Sequence, residues 1–151
     1  MNKAELKQYL ETTFPTCKVS ETFDFPLLIV NQNELLEVAT KLKESKETLF
    51  DFLFCETAVD KTNHFEVVYH LNSTIYRHDL EIKVMVEDMD NGKIESVYSL
   101  WKAAEYFENE IFDMFGIRFK NHPHLRRMIL GEEWVGFPLR KDYTDERMLT
   151  K

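Results

Sequence analysis

The sequence predicts an α+β domain with a mostly antiparallel sheet flanked by helices, ending in an extended irregular carboxyl-terminal arm. Three observations carry this reading. Helical periodicity opens the chain, a run of β segments fills its middle, and regular patterning stops after Gly116 although large apolar side chains continue. No internal repeat or linker interrupts the pattern. Residues 1–116 are therefore read as an α+β core and residues 117–151 as the arm, one structural domain overall.

Each element has a local reason. Lys3–Phe14 is a short helix with Leu6, Leu10 and Phe14 four apart on one face, stopped by Pro15. Leu27–Val30 is a brief apolar strand. Asn31, with Glu34 three residues on, has capping-box spacing for a second helix in which Leu35, Val38, Ala39 and Leu42 form the inner face. Leu49–Ala58 is dense in Phe and Leu and is expected to be buried on both faces. His64–Asn72 reads as a strand through Phe65, Val67, Tyr69 and Leu71. Leu80–Glu87 alternates, with Leu80, Ile82, Val84 and Val86 inward. A turn at Asp90–Gly92 leads to a short strand, Ile94–Tyr98. Ser99 is the expected cap of a last helix, Leu100–Phe115, and Gly116 its carboxyl-terminal stop.

Pro123, Gly131, Gly136 and Pro138 then punctuate the chain too often for a long element. Yet Phe119, Leu125, Met128, Ile129, Leu130, Trp134, Val135, Phe137 and Leu139 make this stretch too apolar for a disordered tail. Charge sets it apart as well. Residues 1–117 carry 11 Lys+Arg against 22 Asp+Glu, whereas residues 118–141 carry 6 against 2. A basic, apolar arm on an acidic body is expected to lie against the domain itself or against a partner.

Several function classes are disfavoured. Met1–Leu10 is charged and amphipathic, so no signal peptide is expected there. Nothing approaches the roughly 18 consecutive apolar residues of a membrane span. Cys17 and Cys55 lack CxxC spacing, fit a reduced compartment, and are too few for an iron–sulfur cluster. No phosphate-binding glycine loop or nucleophile elbow is present. Glu110 and Asp113, with His122 and His124 downstream, resemble a metal-ligand set only loosely, since no HExxH accompanies them. Glu105, Glu108, Glu110 and Asp113 read instead as a solvated helix face with Arg126, Arg127 and Arg140 as partners. His64 and His70 share one strand face about 20 Å apart and read as ordinary strand histidines. The acidic body opposes nucleic-acid binding. The three arginines then suit a partner's carboxylates.

From Ala104 the chain reads AEYFENEIFDMFGIRFKNHPHLRRMILGEEWVGFPLRKDY. This resembles the signature of the C (30-kilodalton) subunit family of complex I, in which E-R-E-x-x-D-x-F-G-I-x-F-x-G-H-P precedes L-R-R-I-L and W-x-G-x-P-L-R-K-D-Y. The matching positions include Glu108, Glu110, Asp113, Phe115, Gly116, Ile117, Phe119, His122, Pro123, Leu125, Arg126, Arg127, Leu130, Trp134, Gly136, Pro138, Leu139, Arg140, Lys141, Asp142 and Tyr143. A weaker likeness runs upstream to about residue 49. Three positions depart from the pattern: Asn109 stands for an arginine, Asn121 for a glycine and Phe137 for a histidine. The sequence stops soon after Asp142-Tyr143, so no fused D segment is expected.

The resemblance implies a non-catalytic structural subunit of the peripheral arm of respiratory NADH:quinone oxidoreductase. An equivalent subunit of a related membrane-bound hydrogenase or non-NADH dehydrogenase is the alternative. It implies no cofactor on this chain, with FMN and iron–sulfur clusters carried elsewhere in the complex. It implies the D (49-kilodalton) subunit as chief partner, B and I as neighbours, no nucleic acid, and a peripheral place on the cytoplasmic side of the inner membrane. The implied partner interface comprises Glu108, Glu110, Asp113, Gly116, His122, Pro123, Arg126, Arg127, Trp134, Pro138, Leu139, Arg140, Lys141, Asp142 and Tyr143.

Overall fold

The computed structural model describes residues 1–148. Its elements run α1 (Lys3–Thr13), β1 (Lys18–Glu21), β2 (Pro26–Val30), α2 (Leu35–Glu44), β3 (Phe52–Asp60), β4 (Phe65–Asn72), β5 (Asp79–Val86), β6 (Lys93–Glu95), α3 (Ala104–Phe115) and β7 (Arg118–Lys120). Five strands form one sheet in the order β1-β2-β5-β4-β3, and β6 pairs with β7 in a second, smaller one. All pairings in the large sheet are antiparallel except β2 with β5. The predicted α+β architecture holds.

The α1 helix begins with a capping box. Asn2 Oδ1 accepts from the Glu5 amide at 2.9 Å, and Glu5 Oε2 accepts from the Asn2 amide at 2.8 Å. Leu6 and Leu10, with Phe14 at the helix end, enter the core as their spacing predicts. Likewise Leu35, Val38, Ala39 and Leu42 of α2 are buried. The expected Asn31 cap does not form. The Asn31 carbonyl accepts from the Glu34 amide at 2.9 Å and closes a turn, so the helix starts one turn later, with Glu34 as its cap residue.

Register places Phe65, Val67, Tyr69 and Leu71 of β4 opposite Val86, Val84, Ile82 and Leu80 of β5. Leu28 and Val30 of β2 continue this face beside Ile82 and Val84. One hydrophobic core joins that face to side chains from all three helices, such as Leu10, Leu42 and Phe115. Leu27 and Val68, on the other face, lie outside that core.

Two expectations require correction here. The segment 49–58, expected to be buried on both faces, instead supplies an edge strand, β3, covered on one side. Leu53, Glu56, Ala58 and Asp60 are buried, whereas Phe52, Phe54 and Val59 are exposed. Composition signals apolarity but not position in the sheet, which depends on distant segments. Ser99 does not cap the last helix either. The Leu100 and Trp101 amides both donate to the Val97 carbonyl at 2.9 Å, forming a turn. The Trp101 indole then donates to the Phe50 carbonyl at 3.0 Å, and α3 starts only at Ala104.

Gly116 ends α3 as expected, in the left-handed region at φ 77°. Its place is also steric: a Cβ there would lie 2.6 Å from the Phe137 ring. Gly116→Ala is therefore expected to destabilise the chain by at least about 1–2 kcal/mol. A lowered urea midpoint at an unchanged slope is the readout; an unchanged midpoint would contradict both the strained φ and the contact.

Candidate partner interface: the arm folded back on α3

Beyond Gly116 the chain first enters β7, whose Phe119 stands opposite Ile94 in a parallel pair. It turns back at Asn121, which has φ 61°. Asn is among the few non-glycine residues that tolerate this region. His122 follows with its side chain fully buried. Its Nδ1 accepts from the His124 amide at 3.0 Å, so Nε2 carries the hydrogen and donates to the Glu105 carbonyl at 3.1 Å.

The arm then runs along α3 and is fastened to it by donors. Asn109, buried on α3, accepts from the Arg126 amide through Oδ1 at 3.0 Å. The Asp113 carboxylate, fully buried, is the main anchor. Its Oδ2 accepts from the amides of Met128, Ile129 and Leu130 at 3.1, 2.7 and 2.9 Å. Its Oδ1 accepts from Arg127 Nη1 at 2.9 Å, and the same Nη1 donates to the Asp113 carbonyl at 3.0 Å. Burial pushes this carboxyl up. The amides of Leu130, Ile129 and Met128, with the Arg127 guanidinium, outweigh it and hold the group below the usual carboxylate range.

Arg127 also donates through Nη2 to the Gly136 carbonyl at 2.9 Å, tying the far part of the arm to the near part. Arg140 donates through Nε to the Phe115 carbonyl at 2.6 Å, and the Leu139 amide donates to the Met114 carbonyl at 3.1 Å. These bonds satisfy carbonyls that the helix end leaves open and set a cation at its negative pole. Both guanidiniums approach the Phe137 ring, Arg127 at 5.0 Å and Arg140 at 4.9 Å from its centre, and the ring meets Phe112 edge-on. Farther along, the Lys141 amide donates to Asp60 Oδ2 at 2.8 Å, joining the arm to the end of β3. Gly136, at φ 90°, lies beneath the Tyr143 ring.

The implied interface thus divides. Glu108, Asp113 and Gly116 are buried within the chain, and the His122 side chain is enclosed. Glu108 and Asp113 therefore do not belong to a solvated face. Arg127 and Arg140 do not await a partner's carboxylate either, because Asp113, backbone carbonyls and Phe137 already engage them. Trp134, Pro138 and Tyr143 are half-buried. Glu110, Pro123, Arg126, Leu139, Lys141 and Asp142 face outward.

Sequence reasoning missed Asn109 and Asp60, whose arm contacts are with backbone amides and leave no pairwise charge pattern. Tyr106, Met128, Ile129 and Val135, which the implied interface does not include, are exposed large side chains on or beside the arm. Among the described residues, no three His, Cys, Asp or Glu side chains converge as a metal site, and no helix is long and apolar enough to cross a membrane.

The sequence model described as the 30 Kd subunit of respiratory-chain NADH dehydrogenase matches residues 28–147, and the chain belongs to this family. The C subunit of a NADH-quinone oxidoreductase from Moorella thermoacetica is 39% identical over 90% of this chain and 91% of its own length. A C/D subunit of the same oxidoreductase from Phocaeicola vulgatus is 37% identical over 84% of this chain, which spans only 23% of that longer protein. Among solved structures, a chain of the membrane-bound sulfane sulfur reductase, an archaeal respiratory membrane complex, superposes with a TM-score of 0.76. That match covers 95% of this chain and 86% of the other at 22% identity, a likeness of fold.

Asp113→Ala is expected to cost about 3–5 kcal/mol, the range for a buried pair that loses one partner. Protease cleavage within residues 117–148 should become fast. The pH dependence has a defined sign. A carboxyl depressed on folding contributes stability above its ordinary value near 4, and that contribution is lost as pH falls through the lower folded value. Arm release should therefore accompany acidification below about pH 4 in the parent and be absent as a separate step in Asp113→Asn. An arm equally protected in parent and variants would contradict the anchor.

Proposed function

We propose that this chain is a non-catalytic structural subunit in the peripheral arm of NADH:quinone oxidoreductase, and that its outward arm surface docks the D subunit. NADH oxidation, quinone reduction and coupled ion movement are reactions of the assembly. This chain would hold no cofactor of its own, FMN and iron–sulfur clusters residing on other subunits. The B and I subunits would lie nearby, and the chain would sit peripherally on the cytoplasmic side of the inner membrane.

The observation that carries this reading is the division of the arm into two sides. Its inner side is consumed by α3, while Ile129, Val135 and Leu139 remain 57%, 87% and 56% exposed on the outer side. Apolar groups held outward by a rigid anchor cost solvation unless something covers them. Arg126, exposed beside them, can supply a directed contact at the rim. Relatives named as C/D subunits join the two names in one protein, which supports D as the neighbour.

The test is affinity capture of the chain from its own membranes with mass spectrometry. The parent should retain a D-like partner and show no visible absorption band once purified alone. Ile129→Asp combined with Val135→Asp should lose that partner by tenfold or more, with an unchanged unfolding midpoint. Retention of the partner by the double variant would place the contact elsewhere. A stoichiometric flavin, cluster or metal on the isolated chain would overturn the non-catalytic reading.

A further inference from the structure

A second carboxylate of α3, Glu108, faces a buried polar group on the sheet that the arm does not use. Glu108 is fully buried. Its Oε2 accepts from the Ser96 hydroxyl at 2.6 Å and its Oε1 from the Val97 amide at 2.8 Å. Across from α3, Glu56 projects inward from β3 and stands in direct register with Tyr69 of β4. Glu56 is 2% exposed and Tyr69 1%. Neither Glu56 oxygen nor the Tyr69 hydroxyl has a hydrogen-bond partner in the protein.

The titratable groups facing this cluster are Cys55 on β3, Tyr69 on β4, Glu108 on α3 and His122 on the arm. The His122 Nε2 stands 3.8 Å from Glu108 Oε2, with its hydrogen directed to the Glu105 carbonyl. No lysine or arginine among the described residues forms an ion pair with either carboxyl.

We propose that Glu56 and Glu108 form a proton-dependent clamp between the sheet and α3, in which Glu56 stays a neutral carboxylic acid while Glu108 takes the single negative charge. Donor supply decides which of the two keeps the proton. A carboxylate needs donors to replace lost water, and Glu108 has two while Glu56 has none. Burial pushes the Glu108 carboxyl up to about 7 against those two hydrogen bonds. For Glu56, burial acts first, and the neighbouring Glu108 charge pushes the same way, well above the usual range. Removing the Glu56 proton would leave two buried like charges acting on one another between β3 and the helix that anchors the arm.

The sign for stability is opposite to that of Asp113. A carboxyl raised on folding binds its proton more tightly in the native state. Its contribution is complete below the ordinary value near 4.3 and is lost as pH rises through the folded value. His78 works against this within the same interval, because burial lowers its imidazole. The comparison is therefore made variant against parent.

The experiment is a pH titration of the full chain by infrared spectroscopy, reading the protonated-carboxyl band, alongside protease cleavage of the arm. The parent should keep one such band at pH 8. Glu56→Gln should remove it, and Glu108→Gln should keep it but lower its titration midpoint by about one pH unit or more. Arm cleavage should accelerate at alkaline pH in the parent and not in Glu56→Gln. A parent without the band at pH 8, or a band that survives Glu56→Gln, overturns the proposal. Should Glu108→Gln fail to fold, Glu56→Gln decides alone, since it removes no hydrogen bond.

Discussion

The Asp113 carboxylate organises everything that follows α3. A buried charge of this kind is tolerated only when its lone pairs are filled, and here the arm fills them with three consecutive amides and a guanidinium. Each hydrogen bond to an ionised group contributes about 1.5–3 kcal/mol, so together they can offset a desolvation cost of several kcal/mol. Consecutive amides can converge on one oxygen only if residues 128–130 curl around it. The charge thus dictates a backbone conformation that neither helix nor strand propensity would select. Arg127, fixed by the same contact, reaches onward to Gly136, and the next segment inherits its position.

The end of the helix supplies the second half of this constraint. Gly116 leaves room for Phe137, and Phe137 offers a flat face to Arg127 and Arg140. Arg140 in turn satisfies the Phe115 carbonyl. Asp113 and Glu108 stand five residues apart, about 140° around the helix, and so address different surroundings. Asp113 meets the arm's donors and stays ionised, whereas Glu108 meets the sheet with two donors and titrates near neutrality. For Asp113 the arm's three amides and the guanidinium outweigh burial, whereas for Glu108 burial outweighs its two hydrogen bonds.

Local pattern made part of this legible in the sequence. Leu6, Leu10 and Phe14, and the inward alternation of β4 and β5, depend on spacing alone, and the structure places them as that spacing requires. The Asn31 and Ser99 caps failed because a cap residue is defined by where its carbonyl and side chain bond, and in both places a preceding turn claims the amides. The parallel pairing of β2 with β5 and the edge position of β3 are set by segments far apart in the chain. The arm shows both sides of this limit. Its arginines and the helix acids were visible as complementary residues, but the fold-back that joins Arg127 to Asp113 within one chain was not. Nothing in the spacing of Asp113 and Arg127 announces that residues 121–126 reverse direction at an asparagine in the left-handed region.

That fold-back alters what the arm can offer a partner. Its basic excess is conspicuous in the sequence, yet much of it is engaged internally. Arg127 and Arg140 serve α3, Arg118 lies 5.6 Å from the Phe112 ring, and Lys120 is 3.8 Å from Glu95. Arg126 and Lys141 remain exposed, the latter with its amide committed to Asp60. Outward charge of both signs remains, on Glu132, Glu133 and Asp142 as well as on Arg126 and Lys141, and the apolar side chains of Ile129, Val135 and Leu139 are exposed among it. Exposed ion pairs contribute about 0–1 kcal/mol each, whereas full burial of one such side chain contributes about 1.5–3. Arg127 and Arg140 thus act by shaping the arm, and under the proposed docking the apolar side chains that this shape holds outward would supply most of the affinity.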